Sequence, residues 1–412
     1  MTTAAAPTGR QERISEVDIV RGFALFGVLW MNLLGHNYIA MPRAHLNALP
    51  TAEIDAVVGL VSRTLMAGKA QALFSMLFGF GFAMLMERIE ARGGDARAIY
   101  LRRLAILLVI GVGHALLLWL GDILHAYALL GFLLLATRRW PGWLLLGLAV
   151  ALSVIAFPAL SLGYAATGQE APWTAAEAAG QARRWLLFQG SDYGAFVAEN
   201  ARALWSESYS HAVGYVGLGF IFGRFLIGDW IYRQGWLQDC AAYSAGFRRW
   251  TTILLPAGLV MASLSPLMQT AGVRTPAALQ PLLDMVSMAS LIILALGYGA
   301  GIVALCQVER WRARLSPLGA VGQMALTNYV GQSLVFLFVL YGFGLGLLRW
   351  NGATFALALA ALVFALQIAL SRWWLARYRF GPLEWVWRSL TYGVRQPMRL
   401  TSATEPAGVA AQ

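Results

Sequence analysis

The chain has 412 residues, of which 59 % are hydrophobic and only 12 % are charged, and its mean hydropathy is +0.62. An ordinary soluble domain is about a quarter charged, and a single water-soluble core does not absorb this much apolar sequence. The composition therefore argues against a soluble enzyme with short buried strands. It predicts an integral membrane protein, because the apolar runs reach the ~20 residues that span a bilayer.

The net charge of +11 comes from 31 basic and 20 acidic residues. In a soluble protein this excess would suggest a nucleic-acid partner, but the basic residues, all arginine apart from Lys69, cluster between the apolar runs. We interpret them as determinants of membrane topology and expect no nucleic-acid partner. The spacing of histidine and cysteine suits no metal site, so none is expected.

Ten apolar runs are candidate transmembrane α-helices, because backbone groups in lipid must hydrogen-bond within their own segment. Their predicted ranges are 17–35, 70–86, 103–120, 122–137, 142–163, 211–229, 250–268, 283–305, 319–345 and 353–373. Placing both termini in the cytoplasm puts most arginine-rich segments on one side, as the positive-inside bias requires. The predicted fold class is an all-α polytopic membrane bundle of about ten helices, with a tight hairpin formed by the third and fourth spans.

The spans and their connections divide the chain into four predicted parts. These are a five-span N-terminal half (1–163), an external loop with interfacial helices (164–210), a five-span C-terminal half (211–373), and a basic, Trp-rich cytoplasmic tail that is disordered at its end (374–412). A second external segment, 36–68, contains an amphipathic stretch, and His36 is expected to lie in this loop.

An ionisable residue at the centre of a membrane span costs a few kcal/mol, so each one needs a partner or a function. Asp18 and Arg21, three residues apart at the start of the first span, share a helix face and are expected to form a structural ion pair. Lys69 stands at the external entrance of the second span, where its side chain can snorkel to the interface. Asn328 belongs to a polar stripe in the ninth span, from Gln323 to Ser333, that interhelical hydrogen bonds would explain.

The most informative segment runs from Arg102 and Arg103 through His114 to Asp122 and His125. The two arginines mark its cytoplasmic end. His114 follows Arg103 by 11 residues, about 16 Å at the helical rise, which predicts a position near the membrane midplane. Eight residues separate His114 from Asp122, so the sequence does not require these side chains to touch.

Histidine can accept a proton from a hydroxyl or an amine near neutral pH, and a carboxylate can orient the imidazole. His114 and Asp122 are therefore candidate catalytic residues. Two structural alternatives stay open: His114 can be a packing residue, and Asp122 can cap the N-terminus of the fourth span.

Several blocks of residues occur in a specific order along the chain. They are Asp18-Ile-Val-Arg21-Gly22 with Asn32, Lys69 to Gly79, Gly113-His114, Gly121-Asp122-Ile123-Leu124 with Tyr127, Met324 to Tyr329, and Gly381 to Thr391. In this order they resemble the YeiB-like family of bacterial membrane proteins, a domain of unknown function, over most of the chain. The chain departs from the family pattern at Gln323, where members usually have arginine, and at Ala70, where they usually have an aromatic residue. The resemblance implies a multi-pass protein of the bacterial inner membrane.

The YeiB-like family is distantly similar to membrane-bound acyltransferases that move an acyl group from cytoplasmic acyl-CoA to an acceptor at the other face. That similarity implies acyl-CoA as co-substrate, a sugar or envelope glycan as acceptor, and no permanently bound cofactor. His114 would be the general base or transient acyl carrier and Asp122 its orienter, while Arg102 and Arg103 would bind the donor phosphates. Residues assigned to the acceptor side, or to structural polar contacts, are Asn32, Lys69, His125, Tyr127 and Asn328.

A ten-span acyltransferase is the first hypothesis. The second is a transporter or exporter of a small molecule or lipid-linked substrate, whose route the same polar groups would line. The third is a non-catalytic membrane assembly partner that uses the loop 164–208 for contacts. The expected partners are the lipid bilayer, acyl-CoA and a glycan acceptor, and association into a homo-oligomer is left open. Convergence of the polar residues around one cavity would favour a functional site.

Overall fold

The structure, a computed structural model, describes residues 13–167, 173–210, 212–273, 275–276 and 279–400. The end of the tail, 401–412, predicted to be disordered, lies outside the described residues, as does the short stretch 168–172 of the predicted external loop. Throughout the described ranges the fold is all-α, which confirms the predicted fold class.

The helices follow one another with short connections. In chain order they are α1 Ser15–Ala40, α2 Arg43–Asn47, α3 Ala52–Leu65, α4 Lys69–Ala91, α5 Ala96–Leu117, α6 Leu124–Thr137, α7 Gly142–Val150, α8 Ala156–Thr167, α9 Trp173–Leu187, α10 Tyr193–Ser208, α11 Ala212–Arg233, α12 Ser244–Thr270, α13 Gln280–Cys306, α14 Glu309–Gln323, α15 Ala325–Val339, α16 Ala353–Leu375 and α17 Pro382–Tyr392. A π-helical turn, Ala151–Ile155, joins α7 to α8, and a 3₁₀ turn, Leu347–Trp350, precedes α16.

Within the described residues, eight helical segments are long and apolar enough to cross a membrane, and α6 and α15 are shorter apolar helices. Large apolar side chains point outward from several of them; Val109 is 74 % exposed, Val260 69 % and Leu362 59 %. Such surfaces are unfavourable in water and favourable in lipid, and each helix satisfies its own backbone groups. The chain is therefore a multi-pass membrane protein.

Helix α1 is mostly buried and packs against α4, α14 and α16. The most extensive helix pairs are α12 with α13, α4 with α11, α1 with α14 and α5 with α6. Glycine permits two of these close approaches. A Cβ atom at Gly22 would lie 2.0 Å from the carbonyl oxygen of Leu318, and one at Gly79 would lie 2.0 Å from that of Phe225. Helices from the two predicted halves are thus in direct contact.

Helices α5 and α6 form the predicted hairpin, and it is short. Helix α6 has 14 residues, about 21 Å of helix, whereas the hydrocarbon core of a bilayer is about 30 Å thick. Helix α5 begins at Ala96 rather than near Arg103, because the side chain of Asp95 caps it by accepting the N–H of Ala98 at 2.9 Å. In the turn between the two helices, Trp119 and Asp122 are buried whereas Gly121 is exposed.

Helices α9 and α10 cover the end of the hairpin that faces away from the arginine-rich side. The hydroxyl of Tyr193 donates to the carbonyl of Leu117 at 2.7 Å, and the amide of Asn200 donates to that of Leu116 at 3.1 Å. Carbonyls in the last turn of a helix lack partners within it, so these bonds fasten α10 to the end of α5. The buried Arg184 ties α9 to the last turn of α1 at 2.8 Å. We call α9 and α10 the cover.

The prediction that His36 lies in a loop is wrong. Helix α1 continues to Ala40, and the imidazole of His36 is fully buried, stacked on the ring of Trp119 with centroids 3.8 Å apart. Its Nδ1 atom lies 2.8 Å from the carbonyl oxygen of Asn32 in the preceding turn. Aromatic packing from the hairpin therefore extends α1 beyond the apolar run.

The predicted ninth span, 319–345, is interrupted at Met324, between α14 and α15. The carboxylate of Glu384, on α17, accepts the backbone N–H groups of Leu326 at 2.7 Å and Thr327 at 3.1 Å. An acidic group is favoured here because the first N–H groups of a helix have no partner within it. Hydropathy alone does not reveal this break, since the capping residue is 58 positions away.

We expect Glu384→Ala to destabilise the protein by at least about 1–3 kcal/mol, because two backbone N–H groups would lose their acceptor. Glu384→Gln keeps one carbonyl oxygen for both groups and should lose less stability. Thermal unfolding of the purified protein in detergent measures the effect, with the exposed Glu309→Ala as control. Equal melting temperatures for Glu384→Ala and Glu309→Ala would contradict this explanation of the break.

Candidate functional site

A carboxylate lies between two histidines at the turn of the hairpin. The Oδ1 atom of Asp122 is 2.8 Å from Nδ1 of His114, and its Oδ2 atom is 2.7 Å from Nδ1 of His125. All three side chains are buried. Oδ2 also accepts the backbone N–H of His125 at 2.9 Å, so Asp122 both caps α6 and contacts the two imidazoles. The turn between α5 and α6 brings Asp122 next to His114, although eight residues separate them in the sequence.

These contacts indicate which nitrogen of His114 carries the proton. Nδ1 of His114 lies 2.8 Å from Oδ1 of Asp122 without a well-directed hydrogen bond between them. Because an ionised carboxylate only accepts hydrogen bonds, this contact favours the tautomer with the proton on Nδ1. The Nε2 atom of the neutral ring is then an acceptor, and it lies 2.8 Å from the Oγ atom of Ser333. His114 thus presents its basic nitrogen to a hydroxyl group, which is the geometry a general base requires.

Two features of the fold hold this cluster together. A Cβ atom at Gly111 would lie 2.3 Å from the backbone nitrogen of His125, so α5 and α6 approach this closely because position 111 is glycine. From α15, the ring of Tyr329 lies 5.0 Å from the His114 ring, centroid to centroid. The Tyr329 hydroxyl accepts the N–H of Ile123 at 3.4 Å and hydrogen-bonds to Asn32. Helices α1, α5, α6 and α15 therefore meet at one point.

A chamber of about 260 Å³ extends from the arginine-rich end of the bundle to Ile123 and Tyr329. Its inner end is one residue from Asp122 and one helical turn from Ser333. Its walls are largely apolar and aromatic. The arginines that line it are Arg13, Arg21, Arg88, Arg103 and Arg388. The chamber thus leads from a positively charged mouth to residues next to the histidine cluster, whose own side chains do not line it.

Two of these arginines stack on aromatic rings instead of pairing with acids. The Arg103 guanidinium lies 3.7 Å from the centre of the Trp387 ring, and that of Arg388 lies 4.8 Å from the Phe380 ring. No ion pair with a carboxylate is found for either one within the described residues. Burial lowers the pKa of Arg388 to about 10, and the positive charge of Arg103 acts in the same direction. An anion bound here would relieve that repulsion.

The structure separates the two arginines that the sequence grouped. Arg102, next to Arg103, is exposed, and its guanidinium donates to the carbonyl of Thr391 at 3.4 Å. It does not line the chamber. Asp18 and Arg21 form an ion pair at 2.7 Å, and both lie on the chamber wall.

The structure does not bring all the residues assigned to the acceptor side to one place. Asn32 and His125 lie at the cluster, and Tyr127 lines the chamber, with its hydroxyl 2.6 Å from that of Ser75. Lys69 lies apart from them, because its ammonium donates to the backbone carbonyl of Arg63 at 2.7 Å.

Asn328 faces away from the cluster. Its side-chain amide donates to the Ser371 hydroxyl at 3.0 Å, and its backbone carbonyl accepts the side-chain amide of Gln367 at 2.8 Å. These bonds join α15 to α16, as the interhelical alternative expects.

Two buried residues, Ser333 at the cluster and Arg224 in α11, were not expected from the sequence. Ser333 was grouped with a structural polar stripe, and its partner His114 lies 219 positions earlier. Arg224, in the middle of α11, is buried and donates to the side chain of Gln71 at 3.4 Å, with no carboxylate partner found in the described ranges. The rule that singles out ionisable residues inside spans would have found Arg224.

A second, larger cavity of about 590 Å³ lies beside the chamber and shares two wall residues with it, Val17 and Leu77. Its other lining residues are almost all aliphatic or aromatic, and none is charged. It offers contacts for hydrocarbon but no group for acid–base chemistry, so the candidate site is the histidine cluster with its chamber.

Fold and site together define a polytopic α-helical membrane protein whose buried histidine–aspartate cluster lies next to the inner end of an arginine-lined chamber. Comparison with known proteins identifies its family. The family described as "Protein of unknown function (DUF418)" matches residues 231–394. The chain is 32 % identical over 411 residues to the uncharacterized protein YxaH of Bacillus subtilis (strain 168), covering 95 % of this chain and 97 % of YxaH.

A second relative is the uncharacterized protein YeiB of Escherichia coli (strain K12), which is 30 % identical over 400 residues, or 94 % of this chain and 98 % of YeiB. A third, described as an uncharacterized 39.9 kDa protein in the amylase 3′ region of Bacillus acidopullulyticus, is 27 % identical over 403 residues, or 96 % of this chain and 98 % of that protein. The chain belongs to the DUF418, or YeiB-like, family of bacterial proteins.

Proposed function

We propose that the protein is an acyltransferase of the bacterial inner membrane. It would take an acyl group from acyl-CoA at the arginine-rich, predicted cytoplasmic end and pass it to a hydroxyl or amine acceptor, such as a sugar or envelope glycan, at the opposite face. The observation that carries the proposal is the chamber, because it leads from an arginine-lined mouth to the neighbourhood of a buried histidine whose Nε2 atom faces a hydroxyl. The resemblance to membrane-bound acyltransferases favours the same reaction.

The donor would bind by charge at one end of the chamber and by shape along it. Arg103 and Arg388, stacked on aromatic rings, keep their N–H groups available for phosphate oxygens. A chamber of about 260 Å³ suits the narrow arm of CoA rather than the whole nucleotide, which would stay at the mouth. The thioester would then reach Tyr329 and Ile123, next to the cluster.

The chemistry would rest on His114. Its Nε2 atom would remove the proton from the attacking hydroxyl, and Asp122 would stabilise the imidazolium that forms. The hydroxyl of Tyr329, a residue at the inner end of the chamber, would donate to the oxyanion of the tetrahedral intermediate. Burial of the cluster excludes the water that would otherwise hydrolyse the thioester.

The acceptor would approach from the side of the cover. There, the ring of His125 lies 6.0 Å from that of Tyr209, which follows α10. The cover is fastened to α5 by hydrogen bonds from two side chains, so small movements of α10 would open or close this side. The cluster thus lies between the chamber and the cover.

Donor binding tests the proposal. We expect Arg103→Ala to weaken acyl-CoA binding by about 10- to 100-fold, since charge-assisted hydrogen bonds contribute about 1.5–3 kcal/mol each. The matched control is Arg102→Ala, because Arg102 is the neighbouring arginine and lies outside the chamber. The measurement is equilibrium binding of acetyl-CoA and longer acyl-CoAs to purified protein in detergent.

Equal weakening in Arg102→Ala and Arg103→Ala would indicate non-specific attraction to the basic surface and would contradict the chamber as the donor site. No binding across the whole donor series would contradict the acyltransferase proposal and favour transport.

A further inference from the structure

The side chains of Ser333, His114 and Asp122 form a continuous chain of contacts. Nε2 of His114 faces the serine hydroxyl at 2.8 Å, and Nδ1 faces the carboxylate at 2.8 Å. This is the order of atoms in a Ser-His-Asp triad, which is recognised by geometry and not by sequence order. In such a triad the serine oxygen is the nucleophile and the histidine is its base.

From this geometry we infer that Ser333 is the nucleophile of the transfer reaction and carries the acyl group as a covalent ester between donor and acceptor. The inference rests on the proposed function and adds a residue and an intermediate to it. In the proposed function alone, His114 would activate the acceptor directly. Here its first task is to activate Ser333.

The position of Ser333 in the bundle suits a residue that carries the acyl group. It follows Tyr329, at the inner end of the chamber, by one turn of α15, which is about 6 Å along the helix axis. The serine side chain is completely buried and lies on the cluster side of that helix. A covalent ester would therefore hold the acyl group away from water until an acceptor arrives.

The two sides of the cluster also favour a two-step reaction. The chamber ends below the cluster, at Ile123 and Tyr329, whereas His125 and Tyr209 lie on the side of the cover. A donor and an acceptor entering from opposite ends would not need to occupy the site together if the acyl group were stored on the protein.

Acyl transfer through Ser333 takes two steps. The Oγ atom of Ser333 attacks the thioester carbonyl and gives its proton to Nε2 of His114. The carbon–sulfur bond breaks with its electron pair on sulfur, and the thiolate takes the proton from Nε2 to leave as free CoA. In the second step the acceptor hydroxyl gives its proton to Nε2 and attacks the ester, and Ser333 Oγ leaves and takes that proton back.

The contact between Ser333 and His114 also has a structural explanation. A buried hydroxyl that hydrogen-bonds to a histidine of another helix can stabilise helix packing without a chemical role. The two explanations differ in what happens to the protein when donor is present and acceptor is absent. Only a nucleophile gains the mass of the acyl group.

In the test, purified protein in detergent is incubated with acetyl-CoA in the absence of an acceptor, and the reaction is quenched in acid. Tandem mass spectrometry then locates the residue that has gained the mass of an acetyl group. We expect the acetyl group on Ser333, its loss in Ser333→Ala and its retention in Ser371→Ala, which alters another buried serine. Ser333→Cys should also be acetylated, and its thioester, unlike the serine ester, should be cleaved by neutral hydroxylamine. That variant keeps a nucleophile and reports on folding.

Two results would overturn the inference in different ways. If Ser333→Ala transfers acyl groups from acetyl-CoA to membrane acceptors at the wild-type rate, Ser333 carries nothing and the acyltransferase proposal stands with His114 acting directly. If wild-type protein binds acetyl-CoA but neither becomes acetylated nor releases CoA with native membranes present, both the inference and the proposed function fail.

Discussion

Replacement of His114 by alanine should lower acyl transfer by about 10²- to 10⁴-fold, the range over which a positioned general base contributes. The variant removes the nitrogen that faces the Ser333 hydroxyl at 2.8 Å, while the cap that Asp122 provides to α6 remains. The measurement is the incorporation of labelled acyl groups from acyl-CoA into membrane vesicles that contain the overproduced protein.

A packing role for His114 makes the opposite prediction. If the imidazole only fills space between α5 and α15, His114→Gln, which has similar bulk and a polar end, should keep most of the activity. Both variants should elute as monodisperse protein in detergent, so that lost activity does not reflect lost folding. Full activity in His114→Ala would remove His114 from the mechanism.

The second large effect is expected for Asp122→Asn. An asparagine caps a helix about as well as an aspartate, so α6 should keep its N-terminus. Its amide group, however, can donate to Nδ1 of His114, which would move the ring proton to Nε2 and leave no base in front of Ser333. We expect a loss of activity of about 10³- to 10⁴-fold, similar to the effect of this change in serine-protease triads.

Comparison of Asp122→Asn with Asp122→Ala distinguishes the two roles that the sequence left open for Asp122. If the carboxylate serves only as a cap, Asp122→Asn should be almost as active as wild type, whereas Asp122→Ala should be unstable. If it sets the tautomer of His114, Asp122→Asn should be stable and inactive. Melting temperature and transfer rate, measured on the same preparations, distinguish these results.

The fold was largely predictable because membrane insertion imposes one strong rule on the sequence. Apolar runs of sufficient length must become helices, and this holds for α1, α13 and α16 without reference to any neighbour. The rule fails where a distant residue decides the local structure. Glu384 breaks the predicted ninth span at Met324, and Trp119 keeps His36 in the helix.

The site was predictable only in part. His114 and Asp122 stand out because ionisable groups are costly inside a membrane, and this cost does not depend on the packing of helices. Their contact does depend on it: the turn of a short hairpin and a glycine at position 111 bring the two side chains together. Ser333 carries no charge, so no cost distinguishes it from the other serines in apolar helices, and only its distance to His114 reveals it.

Helix packing also decides that Arg103 lines the chamber and Arg102 does not. Neighbouring residues on a helix point about 100° apart, so two adjacent arginines cannot both face one narrow chamber. Which of them faces it depends on where α17 packs, and Trp387 of α17 donates to the carbonyl of Arg103 at 2.9 Å as well as stacking on its guanidinium. The sequence alone gives no means of choosing between the two.

The most direct test of acyl transfer uses acetyl-CoA that carries one radiolabel in the acetyl group and another in the nucleotide. The donor is added to inverted membrane vesicles containing wild-type protein or His114→Ala. We predict that the acetyl label becomes bound to membrane material while the nucleotide label stays in solution as free CoA, and that His114→Ala loses this separation. Uptake of both labels together, at equal rates in the two proteins, would contradict the acyltransferase and indicate transport.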